Sequence, residues 1–145
     1  MVTFHKGNIL DSGADVICHQ VNCQHKMNSG VAKSIRDKWP KVYESYMKNP
    51  AVLGTIQEIP VGKQSVINMF AQESFGYDGR RYTSYDAFWS CLGEIIDTVP
   101  DGSKLAFPAR IGCVRGGANW DVIKTMIIAA LGDIFEIEIW DYDVG

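Results

Sequence analysis

Residues able to do chemistry crowd one short stretch, "CHQVNCQHKMNSGVAKSI" from Cys18 to Ile35, which holds two cysteines, two histidines and a small-residue turn. Three chemistries fit such a crowd: a metal site, a thiol nucleophile with a base, and a loop that cradles an anion. Zinc would need a tetrahedral set such as Cys18, Cys23, His25 and Cys113. Structural zinc sites usually draw on pairs spaced C-x2-C, whereas here the spacing is C-x4-C and no second pair exists. Cys18 and His19 are also neighbours in an apolar run that reads as a strand, so their side chains point to opposite faces. The sequence thus implies no metal and no cofactor. A thiol nucleophile needs a lowered pKa beside a base, and Cys23 has His19 and His25 close by. That reading stays open beside the commoner one, in which a free cysteine is a small, inert core residue.

The anion reading rests on the second half of the stretch. Asn28, Ser29 and Gly30 stand directly before a helical stripe that opens on Val31 and Ala32. Unpaired amides at a helix start point outward and carry partial positive charge, which suits a phosphate. A second segment has the same character: "PARIGCVRGGANW" runs from Pro108 through Gly112, Gly116 and Gly117 to Asn119. Two strand, glycine-turn, helix units can grip a diphosphate from both sides. Gly116 and Gly117 fit a plain tight turn equally well.

The bulk numbers limit what such loops can serve. A chain of 145 residues has the size of one domain and buries roughly two-thirds of its unfolded surface, so a single domain over 1–145 is expected. With 46% apolar and 21% charged residues the composition is that of an ordinary globular protein. A net charge of −3 speaks against general nucleic-acid binding, which needs a basic surface, yet leaves local capture of a phosphate by backbone amides intact. No apolar run approaches the roughly 20 residues of a membrane span, and "MVTFHKGNIL" lacks the basic and apolar regions of a signal peptide. No membrane association and a cytoplasmic location are expected, with Cys18, Cys23, Cys91 and Cys113 as free thiols.

The elements that must position the loops alternate in type. Strands are expected at "VTF", "DVICH", "AVLGTIQEI", "SVINMF", "KLAF" and "IFEIEIW". In the last of these Phe135, Ile137 and Ile139 face one way and Glu136 and Glu138 the other, which suits a place near a sheet edge. Helices are expected from Gly30 to a stop or kink at Trp39-Pro40, from Ser84 to Val99 behind a Thr83 or Ser84 cap, and after the Asn119 cap. This order predicts an α/β sandwich whose sheet is mixed and largely parallel, with the loops after His19, Phe70 and Phe107 gathered at the strands' carboxyl ends.

Taken in order, "GNIL", "HQVNCQHKMNSGVAKSI" with "RDKWPKVYESY", "INMFAQ", "RRYTSYDAF" and "PARIGCVRGGANW" resemble the macrodomain family over nearly the whole chain. The likeness is greatest to its small single-domain members, the ADP-ribose-1″-phosphate phosphatases and the hydrolases of ADP-ribosyl-glutamate esters, stand-alone copies of which occur in bacteria and phages. The resemblance implies a three-layer α/β/α fold that binds ADP-ribose or a derivative, free or on an ADP-ribosylated protein, across the sheet's carboxyl ends. It places the first phosphate loop at Met27, Asn28, Ser29, Gly30, Val31 and Ala32, and the second at Ile111, Gly112, Cys113, Val114, Arg115, Gly116 and Gly117. Gly7, Asn8 and Ile9 match the adenine-reading segment, with Asn8 in place of the usual acidic residue and its amide oxygen as acceptor. Trp140 or Tyr142 would pack on adenine. Asn22 matches the asparagine near the distal ribose, and His19 the histidine that would act as general base on water at its ordinary pKa near 6.5.

Two departures bear on turnover. Ester-hydrolysing relatives carry a lysine where this chain has Ala71 or Gln72, and an aspartate near Gly116, so their lysine mechanism is unavailable. The segment with Tyr77, Arg80, Arg81 and Tyr82 would cover the distal ribose or a terminal phosphate, with Arg81 as its bidentate cation. Two functions follow as expectations: weak hydrolysis of ADP-ribose-1″-phosphate or an ADP-ribosyl adduct through His19 and Asn22, and binding of ADP-ribose-type nucleotides without turnover.

Overall fold

The computed structural model describes residues 1–28, 30–76 and 78–142. Ser29 and Tyr77, both named above, lie outside the described residues. In chain order the elements are β1 (Val2–Lys6), β2 (Val16–Asn22), α1 (Gly30–Lys38), α2 (Pro40–Lys48), β3 (Ile56–Val61), β4 (Gln64–Gln72), α3 (Tyr85–Thr98), β5 (Lys104–Pro108), α4 (Trp120–Leu131) and β6 (Glu136–Asp141). They build one six-stranded sheet in the order β1-β6-β5-β2-β4-β3. Every neighbouring pair is parallel except β3 with β4. The predicted mixed, largely parallel sheet is therefore present.

Each face of the sheet is covered by two helices, which produces two apolar layers. On one side α3 and α4 lay Phe88, Leu92, Ile95, Ile123 and Ile127 against Cys18, Met69, Phe107 and Ile139. On the other α1 and α2 lay Ile35, Val42 and Tyr46 against Ile17, Val21 and Phe70. The central strand β2 is buried from Val16 to His19 on both faces, as a parallel strand between two helical layers must be. Helix starts follow their caps: the Ser84 hydroxyl accepts from the Ala87 amide at 3.1 Å, and Asn119 Oδ1 accepts from the Asp121 amide at 2.9 Å.

The helix from Gly30 stops at Lys38, as Trp39-Pro40 predicts. Pro40 then opens a second helix that was not expected, because proline at a first helical position gives up an amide that has no partner there anyway. One strand boundary needs correcting. β3 begins only at Ile56, since Gly54 at φ +89° turns the chain just before it. β6 lies near the edge as expected, one strand in, between β1 and β5; the outer strands are β1 and β3, the latter carrying Pro60 where an edge tolerates a missing amide.

Candidate functional site

A cleft of about 320 Å³ opens at the carboxyl ends of β2, β4 and β5, where the loops after these strands converge. One wall is the start of α1, with Asn28, Gly30, Val31 and Ala32; the other is the turn from Ile111 through Gly112, Cys113, Val114 and Arg115 to Gly116. His19, Asn22 and Gln72 line it as well. Both stretches singled out as anion loops thus face the same space. Within the second wall the amides of Gly112, Val114 and Gly116 donate to no acceptor among the described residues, whereas those of Ile111, Cys113 and Gly117 close turns of their own. Across the cleft, the first amides of α1 have no preceding helical turn to donate to. Lys26, Arg110 and Arg115 also line the cleft and, among the described residues, no carboxylate does, although the chain carries a net charge of −3. The arrangement suits an anion with donors on two sides.

The second wall is braced from behind by the segment preceding α3. The amides of Tyr82 and Thr83 donate to the Gly116 carbonyl at 2.7 and 3.0 Å, and the Thr83 hydroxyl donates to the Gly112 carbonyl at 2.7 Å. A Cβ on Gly116 would collide with the Thr83 hydroxyl and the Gly112 carbonyl, and one on Gly117 would stand 2.6 Å from the Arg80 carbonyl. Gly117 therefore packs against the brace and does not line the cleft. The same holds for Arg81, whose guanidinium lies 4.5 Å over the Tyr85 ring. Its expected role as a phosphate fork gives way to that stacking.

His19 belongs to a ladder of side chains that fixes its tautomer. Gln57 Nε2 donates to the Ser45 carbonyl at 2.9 Å, which turns Gln57 Oε1 toward Asn68; Asn68 Nδ2 donates to it at 3.0 Å, leaving Asn68 Oδ1 to accept from His19 Nε2. The proton of neutral His19 is thus on Nε2. Nδ1 holds a lone pair, is buried and has no partner among the described residues. Burial takes this imidazole down to about 4, against the weaker upward pull of the Asn68 hydrogen bond. The pKa near 6.5 assumed for a general base does not hold: at neutral pH His19 is uncharged and a weak base.

Asn22 is committed to its own loop. Its Oδ1 accepts from the Gln24 amide at 2.9 Å, the Lys26 amide at 3.3 Å and the Tyr46 hydroxyl at 3.0 Å, while its Nδ2 donates to the Lys26 carbonyl at 2.9 Å. Met27, placed in the first loop, is fully buried and packs in the core. Gln72, which with Ala71 matches the position where ester-hydrolysing relatives have lysine, is likewise engaged: its Nε2 donates to the Ser74 carbonyl at 2.8 Å and its Oε1 accepts from Gln20 at 2.7 Å. Gln20 Nε2 also donates to the Thr83 hydroxyl at 2.8 Å, tying β2 to the brace.

The residues expected at adenine gather elsewhere, at the carboxyl ends of β1 and β6. Asn8 Oδ1 accepts from the Leu10 amide at 3.0 Å as the cap of a short 3-10 turn, which leaves it a second lone pair for a further donor. Ile9 is buried, Gly7 donates its amide to the Asp141 carbonyl, and Tyr142 is exposed. Trp140 stacks on His5 at 4.8 Å between centroids and donates to Glu138 at 2.8 Å. A two-pronged pair, Arg110 to Asp141 at 2.8 and 3.0 Å, stands between this group and the cleft. Gln20, Lys26 and Arg110 were not anticipated as cleft residues; Lys26 had a visible signal, its place four residues before Gly30.

Thiol chemistry has little support here. Burial pushes the Cys113 thiol, which lines the cleft, up to about 11, and Cys23 likewise to about 11 with Glu73 adding to the effect. Both stay protonated at neutral pH. Among the described residues no three histidine, cysteine or acidic side chains are grouped to hold a metal ion.

Sheet order, helical layers and a cleft at the strands' carboxyl ends define the class: the chain has the macrodomain fold. The macrodomain of Mycobacterium tuberculosis DarG superposes with a TM-score of 0.82 at 17% identity over 97% of both chains. Thermosipho africanus DarTG in complex with ADP-ribose gives 0.80 at 16% identity, covering 99% of this chain and 42% of that one. A Bacteroides thetaiotaomicron protein of unknown function gives 0.85 at 27% identity, covering 97% and 98%. By sequence, an uncharacterized 17.5 kDa protein of Enterobacteria phage T4 is 29% identical over an alignment that covers 99% of this chain and 97% of the relative. A DNA ADP-ribosyl glycohydrolase of Thermus aquaticus is 26% identical over 153 residues, and the chain spans 41% of that protein's length. No protein-family model matches. No helix among the described residues is long and apolar enough to cross a membrane.

Proposed function

We propose that this chain, as a single macrodomain over 1–145, binds ADP-ribose or a close derivative in the cleft between α1 and the 111–116 turn, and does so without turnover. The observation that carries this reading is a cleft with the start of α1 as one wall and, as the other, a turn whose Gly112, Val114 and Gly116 amides meet no acceptor among the described residues. A diphosphate between the two walls would receive charge-assisted hydrogen bonds from both. The ligand is met free in the cytoplasm or attached to a macromolecule.

Hydrolysis is the second reading, favoured by the relatives that are DNA ADP-ribosyl glycohydrolases. It has weaker support from the site. Ala71 or Gln72 stands at the lysine position, an aspartate has no room at Gly116, His19 is a weak base and Asn22 is tied to its loop. Titration calorimetry with ADP-ribose, run beside a phosphate-release assay on ADP-ribose-1″-phosphate, tests both. We expect saturable heat with ADP-ribose and no phosphate release above the uncatalysed rate. Absence of heat up to millimolar ligand would sink the binding reading, and release that His19→Ala removes would establish the hydrolase.

A further inference from the structure

We propose that Lys26 is the residue by which this cleft reads the charge of its ligand, and that Asn22 and Tyr46 act as the clamp that holds it there; the ligand class rests on the ADP-ribose reading above. Three cations line the cleft. Arg110 is held by Asp141 through two hydrogen bonds, and Arg115 is engaged within the protein. Lys26 is exposed, and its ammonium meets no acceptor among the described residues. An exposed lysine usually sweeps a wide volume, but the backbone of this one is pinned on both sides. Asn22 takes its amide at 3.3 Å and gives a hydrogen bond to its carbonyl at 2.9 Å. Asn22 is fixed in turn by the Tyr46 hydroxyl, which donates to its carbonyl at 2.6 Å and its side-chain oxygen at 3.0 Å. Tyr46 itself is fully buried between α2 and the sheet. The core of the α1-α2 layer therefore sets where the Lys26 stem leaves the chain, at the mouth of a cleft built for an anion. A compact ammonium there serves as a point charge for phosphate oxygens and requires no particular orientation of them.

Calorimetry at low and physiological salt, with ADP-ribose, inorganic diphosphate and adenosine as probes, tests the assignment. Lys26→Gln should weaken both phosphate-bearing probes about tenfold at low salt and flatten their salt dependence, while leaving adenosine unchanged. Lys26→Arg should retain affinity within about threefold, and Lys48→Gln, an exposed charge on α2 away from the cleft, should behave as wild type. Tyr46→Phe should also weaken both probes, and adding Lys26→Gln to it should cost less than in the wild-type background, because one acts through the other. Unchanged affinity and salt dependence in Lys26→Gln would overturn the proposal, as would equal losses for adenosine. Wild-type binding of diphosphate but not ADP-ribose, lost in Lys26→Gln, would uphold Lys26 and refute the ADP-ribose reading. Wild-type binding of neither would refute both.

Discussion

Replacing Gly116 with alanine should weaken ADP-ribose binding by about 100-fold, equivalent to about 2.7 kcal/mol, and lower folding stability by about 2 kcal/mol. The added methyl has nowhere to go: it meets both the Thr83 hydroxyl and the Gly112 carbonyl. Relief requires the turn to move off the brace, which breaks the hydrogen bonds from Tyr82 and Thr83 to the Gly116 carbonyl. The turn that carries the Gly112, Val114 and Gly116 amides, which meet no acceptor among the described residues, then shifts with it. The aspartate that ester-hydrolysing relatives carry near this position is excluded for the same reason, so Gly116→Asp should resemble Gly116→Ala in stability and acquire no hydrolysis. Val114→Ala, at a strongly exposed side chain in the same turn, should leave binding within about twofold. Urea unfolding and calorimetry on the three variants check this. A Gly116→Ala protein with wild-type affinity would show that the turn is not a ligand wall.

The second large effect is a dependence of stability on acidity that His19 imposes. Its pKa in the unfolded chain is about 6.5 and in the fold about 4. The native state therefore binds fewer protons than the unfolded state between these values. Stability from this residue is complete above the unfolded pKa and is lost as pH falls toward the folded one. Between pH 7 and pH 5 the loss amounts to about 2 kcal/mol. His19→Gln keeps a donor for Asn68 Oδ1 and does not titrate, so its unfolding free energy should vary much less over that range. Denaturant curves at pH 7, 6 and 5 give the answer. Parallel pH dependence in the two proteins would mean that His19 is not held neutral by the fold.

His19 also shows where reading the sequence stops. Its type and position at the end of a strand were legible, and they pointed to a base. Its protonation is set by burial and by Asn68, Gln57 and the Ser45 carbonyl, partners that only the pairing of β2, β4 and β3 brings together. The alternation of apolar runs with helical stripes made the sheet and three helices legible, and glycines before helices marked both cleft walls. The stop at Trp39-Pro40 was legible, whereas the helix that Pro40 opens was not, because the same residue that stops one helix starts another. Arg81 misled because the residue types in "RRYTSYDAF" do not say that the ring of Tyr85, at the start of α3, takes the guanidinium. For Asn8, the capping bond to the Leu10 amide occupies one lone pair of the oxygen assigned to adenine, a local bond that the residue type alone does not reveal. Gln20 reads as an unremarkable strand residue, and its link to Gln72 and Thr83 spans more than fifty positions.

The central claim is that a diphosphate lies between the start of α1 and the 111–116 turn. A crystal structure of the protein soaked with ADP-ribose tests it most directly. Diphosphate oxygens should lie within hydrogen-bond distance of the Gly112, Val114 or Gly116 amides on one side and of the first amides of α1 on the other. Ligand density outside the cleft, or a diphosphate held by neither wall, would contradict it.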